Sequence, residues 1–166
     1  MLDNHGRNLL PGRGMTIHAC QLRPRSKGEI RLRSADPSDP IVIQPNYLQD
    51  SHDLEVMLEC VRISKELFMQ SVFDPYRDGF IYPEESVKSR EELTDFIRRR
   101  AETIYHPVGT CKMGNDPMAV VDTELKVHGV EQLRVVDASI MPKLVSGNTN
   151  APVIMIAEKC ADGIVG

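Results

Sequence analysis

The chain has 166 residues, of which 41% are apolar, and it carries 20 Lys and Arg against 24 Asp and Glu. This length suffices for one domain with a hydrophobic core, and the net charge of -4 gives no general reason to bind nucleic acid or anionic membranes. No segment has the roughly 20 apolar residues of a membrane span, and the four cysteines lack disulfide or metal-ligand spacing, so we expect a reduced, cytoplasmic protein.

The first third of the chain is predicted to be β-structure after a flexible lead-in. Residues 1–14 are rich in Gly, Asn and Pro without periodicity. Alternating apolar residues in Met15–Leu22 and Glu29–Arg33 predict an antiparallel hairpin with one buried face, and Ile41–Ile43 would add a third strand. The basic side chains of this region indicate a solvated strand face, with a nucleic-acid contact as the weaker alternative.

The middle of the chain has the periodicity of two helices. Residues 53–70 have a broad apolar face, which we expect to pack on a sheet, and residues 50–51 can cap this helix. Ser89 and Glu92 have the spacing of a capping box, which predicts a second helix over residues 89–104.

The last third predicts short strands and then a helix. Residues 120–122 and 125–129 favour two short strands, and Leu133–Asp137 has the β-branched content of a buried strand with an acid at its carboxyl end. Residues 152–164 form an amphipathic helical pattern with Pro152 in the first turn. This order of strand, loop and helix is typical of the end of a dinucleotide-binding fold.

Two polar stretches are the candidates for chemistry. YHPVGTCKMG places His106 in a turn built from Pro and Gly, and SGNTNAP places amide side chains where the last helix should begin. An imidazole can act as a general base near neutral pH. From these residues alone, a structural role for His106 and a helix-capping role for Asn148 remain open alternatives.

Three ordered runs resemble the C-terminal part of glucose-methanol-choline (GMC) flavin oxidoreductases of the choline dehydrogenase-like and alcohol dehydrogenase-like kind. They are YHPVGTCKMG, VVDTELKVHGVEQLRVVDASIMP and SGNTNAPVIMIAEKCADGI, and CQLRPRSKGEIRLRSADPSDPIVIQPNYL upstream is similar to the region that joins the family's substrate domain. The resemblance implies an α+β fold, which is α/β in the intact enzyme. It assigns residues 15–130 to a substrate-binding domain and residues 131–166 to a strand, loop and helix that complete the FAD-binding domain.

The resemblance also implies a cofactor and partners. Members of this family bind FAD through a Gly-x-Gly-x-x-Gly turn, which the 166 residues do not contain. We therefore expect a fragment that is inactive until it meets an N-terminal FAD-binding half, and whose exposed tail favours a homodimer or tail exchange. The alternative is a non-catalytic ligand-binding or interaction module derived from the substrate domain.

The site residues follow from the same resemblance. His106 would abstract the hydroxyl proton of a primary alcohol, choline-like, aliphatic or aromatic, while hydride passes to the flavin and an aldehyde forms. Asn148 would donate to the substrate oxygen, and Tyr105 would line the substrate site. The residues expected beside FAD are Asp137, Ala138, Asn148, Thr149, Asn150 and Ala151, and no metal is expected.

Overall fold

The computed structural model describes residues 2–3, 8–9 and 12–166. Half of the predicted lead-in, residues 1–14, lies outside these described residues. Its described part contains two short strands that the sequence did not predict, β1 (Leu2–Asp3) and β2 (Asn8–Leu9), which pair antiparallel.

The described residues form an α+β structure with two-stranded antiparallel sheets and three α-helices. Contacts divide the chain into two compact units. One unit comprises Met1–Gln21 and Leu48–Ile104, and the other comprises Leu22–Tyr47 and Tyr105–Gly166. The assignment of residues 15–130 and 131–166 to two enzyme domains stays a prediction.

The first unit contains the two predicted helices. Helix α1 (Ser51–Phe68) begins after Asp50, whose carboxylate accepts a hydrogen bond from the backbone N–H of His52 at 2.8 Å. After a short 3-10 helix (Ser71–Tyr76), helix α2 (Arg90–Arg100) begins. Helix α1 packs against helix α2, whereas the sequence predicted that its apolar face packs on a sheet.

The predicted capping box of α2 is confirmed. Ser89 Oγ accepts from the backbone N–H of Glu92, and the Glu92 carboxylate accepts from that of Ser89, so both helix-end donors are satisfied. The backbone N–H of Lys88 also donates to the Glu92 carboxylate. The hydrogen bonds from Lys88 and then from Ser89 hold the pKa of Glu92 below its ordinary value. The helix ends before residue 104 because Ala101 is extended, with ψ at 135°.

The second unit begins with a hairpin whose strands differ from the predicted pair. Strand β3 (Glu29–Arg31) pairs antiparallel with β4 (Val42–Gln44), with Ile30 opposite Ile43. The predicted strand Met15–Leu22 is wrong, since these residues are in no strand. An alternating pattern forms a strand only where a neighbouring strand pairs with it, and β3 pairs with β4 instead.

Val121, Leu125 and Ile140 form the core of the second unit, from segments with little regular structure. The strands predicted at 120–122 and 125–129 occur only as isolated bridges, because Leu125 and Gly129 both have positive φ and turn the chain. The carboxylate of Asp122 accepts hydrogen bonds from the backbone N–H groups of Glu124 and Lys126, which holds this turn closed.

The predicted strand Leu133–Asp137 is also wrong. Arg134 makes one isolated bridge to Lys126, and no longer ladder follows. Gln132, with φ at 59°, turns the chain just before this segment, and Asp137 caps a 3-10 helix (Ala138–Ile140) just after it. The β-branched residues therefore supply core side chains, Val135 and Val136, from an irregular segment.

Helix α3 (Asn150–Val165) confirms the last predicted helix and begins two residues earlier than expected. Ile156 and Cys160 lie on the face that packs against the core of the second unit. No helix in the described part of the chain is long and apolar enough to cross a membrane.

The core assignment predicts a large effect of Ile140→Ala. Ile140 is fully buried, so truncation should lower the free energy of unfolding by about 2–5 kcal/mol, as measured by urea denaturation. Ile164→Ala is the matched control, since Ile164 is 59% exposed and should change that free energy by less than about 0.5 kcal/mol. Equal losses in the two variants would contradict this core.

Candidate functional site

Backbone hydrogen bonds hold the histidine turn, residues 105–114, against the 3-10 helix Ala138–Ile140. The N–H of Cys111 donates to the Ser139 carbonyl at 3.0 Å, and the N–H of Met113 donates to the Ile140 carbonyl at 2.8 Å. At Gly109, φ is 91° and a Cβ would lie 3.3 Å from the Met141 carbonyl oxygen, so both conformation and space favour glycine. Both polar stretches predicted from the sequence lie in the second unit.

His106 contacts the start of helix α3 directly. Its Nδ1 lies 3.1 Å from Oγ1 of Thr149, within hydrogen-bond distance. Thr149 is buried, with 8% of its surface exposed, whereas the imidazole is half-buried. This is the one hydrogen bond assigned to His106 within the described residues, and it leaves Nε2 available to another group.

Thr149 stands at the N-cap of α3 but does not cap it with its side chain. Its φ of -91° and ψ of -11° are helical rather than extended, and its hydroxyl accepts no hydrogen bond from the first turn. A threonine cap ordinarily stabilises a helix by about 1 kcal/mol. Here the hydroxyl contacts His106 in place of that interaction.

The loop before Thr149 has a second side-chain contact. Ser146 has φ at 62°, in the left-handed region that non-glycine residues seldom adopt. Nε of Arg23 donates to Ser146 Oγ at 2.6 Å, although the two residues are 123 positions apart in the chain. The conformation of this loop therefore depends in part on a residue that precedes strand β3.

The other predicted site residues lie near these elements and differ in exposure. Asp137 is exposed, and its carboxylate accepts from the backbone N–H of Ser139 at 2.8 Å, so Asp137 is the cap of the 3-10 helix that Ala138 begins. Asn148 is exposed, and no hydrogen bond is assigned to it in the described part of the chain. Tyr105 is 75% exposed, with φ at 63°. The roles assigned to these residues stay predictions.

The contact of Thr149 with His106 was not predicted from the sequence. The prediction placed Thr149 beside the cofactor and made Asn148 the counterpart of His106 in the site. The motif SGNTNAP offers several polar side chains in succession, and only the backbone conformation decides which of them contacts the imidazole.

The end of the histidine turn carries an ion pair. Nζ of Lys112 lies 2.6 Å from a carboxylate oxygen of Asp116. The hydrogen bond from Lys112 and then that from the Met118 N–H hold the pKa of Asp116 below its ordinary value.

Nε2 of His128 lies 3.0 Å from the carbonyl oxygen of Gly114. Among the described residues, no group of three His, Cys, Asp or Glu side chains has the arrangement of a metal site.

Comparisons with known proteins identify relatives of the whole chain. An alcohol dehydrogenase [acceptor] of Pseudomonas putida is 51% identical over 164 residues, which cover 99% of this chain and 30% of that protein. Mitochondrial choline dehydrogenase of Mus musculus is 50% identical over 165 residues, covering 98% of this chain and 28% of that protein. The chain thus spans less than a third of the length of these relatives.

Solved structures are similar in fold as well as in sequence. Pyridoxine 4-oxidase from Mesorbium loti superposes with a TM-score of 0.79 at 37% identity, over 86% of this chain and 28% of that one. Formate oxidase from Aspergillus oryzae RIB40, in a structure that concerns its FAD modification, has a TM-score of 0.77 at 36% identity, over 85% of this chain and 25% of that one.

The sequence profile of the family described as GMC oxidoreductase matches residues 24–157, which include His106, Asp137 and the start of α3. The resemblance inferred from the sequence motifs is thereby confirmed: the chain belongs to the GMC oxidoreductase family.

Proposed function

We propose that this chain is the C-terminal part of an FAD-dependent enzyme that oxidises a primary alcohol to the aldehyde, with His106 as the base. The contact between His106 Nδ1 and Thr149 Oγ1 carries the proposal, because it orients an imidazole beside the start of α3. The relatives named alcohol dehydrogenase and choline dehydrogenase support alcohol oxidation in general.

His106 has the chemistry that the first step requires. Abstraction of a hydroxyl proton needs an acceptor that is neutral near working pH, and imidazole is the side chain best suited to this. With Nδ1 engaged by Thr149, the proton of the alcohol would pass to Nε2. Asn148 would donate its amide N–H to the alcohol oxygen, and its exposure leaves the amide free for that contact.

The start of α3 would suit the pyrimidine ring of a flavin, which gains negative charge when the flavin is reduced. The first N–H groups of a helix have no intrahelical partner, and α3 has neither a side-chain cap nor an acid in its first turn. When bound, FAD supplies the acceptor for the hydride that leaves the alcohol carbon. Asn150 and Ala151 are both exposed and would present their N–H groups to it, whereas Pro152 has none.

Other parts of the cofactor would contact residues of the second unit and a separate polypeptide segment. Asp137 and Ala138 would contact FAD through the backbone at the start of the 3-10 helix. The Gly-x-Gly-x-x-Gly turn that holds the ADP half in such folds is absent from the 166 residues, so an N-terminal half would supply it. Tyr105 would line the substrate side, and the alcohol could be choline-like, aliphatic or aromatic.

Because part of the proposed FAD site would lie on a separate N-terminal half, we predict that this chain does not retain FAD by itself. The purified chain should be colourless, and titration with FAD should leave the flavin absorbance and fluorescence unchanged. Addition of a GMC N-terminal segment that carries the glycine turn should produce a flavin complex. Stable FAD uptake by the chain alone would contradict the division, and failure even with the added segment would favour a non-catalytic binding module.

The assignment of the base predicts a large kinetic effect of His106→Ala in the flavin-containing enzyme. Reduction of the flavin by the alcohol, followed by stopped-flow absorbance, should slow by about 10²–10⁴-fold, the usual contribution of a general base. FAD should remain bound, since the substitution leaves the start of α3 in place.

His18→Ala is the matched control for this experiment. His18 is exposed and belongs to the first unit, so its removal should leave the rate of flavin reduction unchanged. Normal flavin reduction in His106→Ala would end the assignment of His106 as the base.

A further inference from the structure

We propose that Thr149 is a positioning residue that fixes His106 in the tautomer with the proton on Nδ1, leaving Nε2 unprotonated. The use of that free nitrogen as a base rests on the proposed function. The tautomer itself is a property of this chain and can be measured without flavin or substrate.

The contact has the features of a built interaction. Thr149 Oγ1 and His106 Nδ1 are 3.1 Å apart, and Thr149 is 8% exposed, so little water competes for its hydroxyl. The residue occupies an N-cap position, yet its hydroxyl caps no N–H of the first turn of α3. A helix start without a side-chain cap is less stable than a capped one, and such exceptions to local stability are expected where the side chain has another role.

The direction of the hydrogen bond between Thr149 and His106 determines which imidazole nitrogen carries the proton. A threonine hydroxyl can either donate or accept, so the distance alone permits both tautomers of His106. If the hydroxyl donated to Nδ1, Nε2 would carry the proton and could not act as a base. If the hydroxyl accepts from Nδ1–H, Nε2 keeps its lone pair.

Only the arrangement in which the hydroxyl accepts from Nδ1–H allows proton transfer to Nε2 and stays unchanged after it. When the O–H bond of the alcohol breaks, its electron pair stays on oxygen and the proton forms an N–H bond at Nε2. Both nitrogens of the resulting imidazolium are donors. Thr149 Oγ1 then accepts from Nδ1–H before and after the step without reorientation, which is the preorganisation that favours catalysis.

The same geometry assigns the roles of neighbouring residues. Arg23 donates to Ser146 and so restrains the loop that ends at Thr149. Asn148 precedes Thr149 and is exposed, so it can face a ligand while Thr149 contacts the imidazole. Positioning and donation to substrate would thus be divided between adjacent residues.

The test is the tautomer of His106, read by long-range ¹H–¹⁵N correlation spectra of the chain labelled with ¹⁵N-histidine above the titration range of the ring. His106→Gln identifies the resonances of His106 among the five histidines. We expect Nδ1 to have the shift of a protonated nitrogen and Nε2 that of an unprotonated one. The reverse pattern in the wild-type chain would overturn the proposal, and this readout needs no variant of Thr149.

Variants of Thr149 test the cause. Thr149→Val removes the hydroxyl at nearly constant volume and should shift the population of His106 toward the Nε2–H form, whereas Thr149→Ser should retain the Nδ1–H form. Thr123→Val is the control, because Thr123 is exposed in a turn of the same unit. An unchanged tautomer in Thr149→Val would overturn the role of Thr149. Since flavin reduction is not measured here, this result stands apart from the outcome for His106→Ala.

Discussion

Backbone hydrogen bonds between the histidine turn and residues 139–140 are the constraint on which the candidate site depends. Most of the chain between α2 and α3 is irregular, so no long strand or helix fixes the position of His106. Two N–H groups, from Cys111 and Met113, donate to the carbonyls of Ser139 and of the buried Ile140. Because an unpaired buried backbone group is costly, these bonds and the core around Ile140 stabilise each other. The imidazole then lies within hydrogen-bond distance of Thr149 at the start of α3.

The helices could be predicted from the sequence because their signals are local. The capping box of Ser89 and Glu92 and the apolar periodicity of α1 and α3 act within a few residues. The strands could not be predicted with the same success, since a strand needs a neighbour that the local pattern does not name. Leu133–Asp137 has strand-like composition, but the turn at Gln132 and the cap at Asp137 confine it to one bridge.

The candidate site residues were named from the sequence, but the contact between His106 and Thr149 was not predicted. His106 was identified from its turn and from the family motifs, whereas the partner of its Nδ1 depends on the helical backbone of Thr149 and the positive φ of Ser146. Arg23, which lies 123 residues before Ser146, donates to the Ser146 hydroxyl, and a local sequence pattern does not indicate a contact of that range. A hydroxyl at this position can orient the imidazole by a hydrogen bond without placing a charge beside it.

A double-mutant cycle on the rate of flavin reduction would show whether Thr149 contributes to the proposed chemistry through His106. The rates of the flavin-containing enzyme with His106→Ala, with Thr149→Val and with both substitutions would be compared with wild type. We expect strong non-additivity: Thr149→Val should slow wild type by roughly tenfold and should have almost no effect once His106 is removed. Additive effects would show that the two residues act independently and that Thr149 does not position His106.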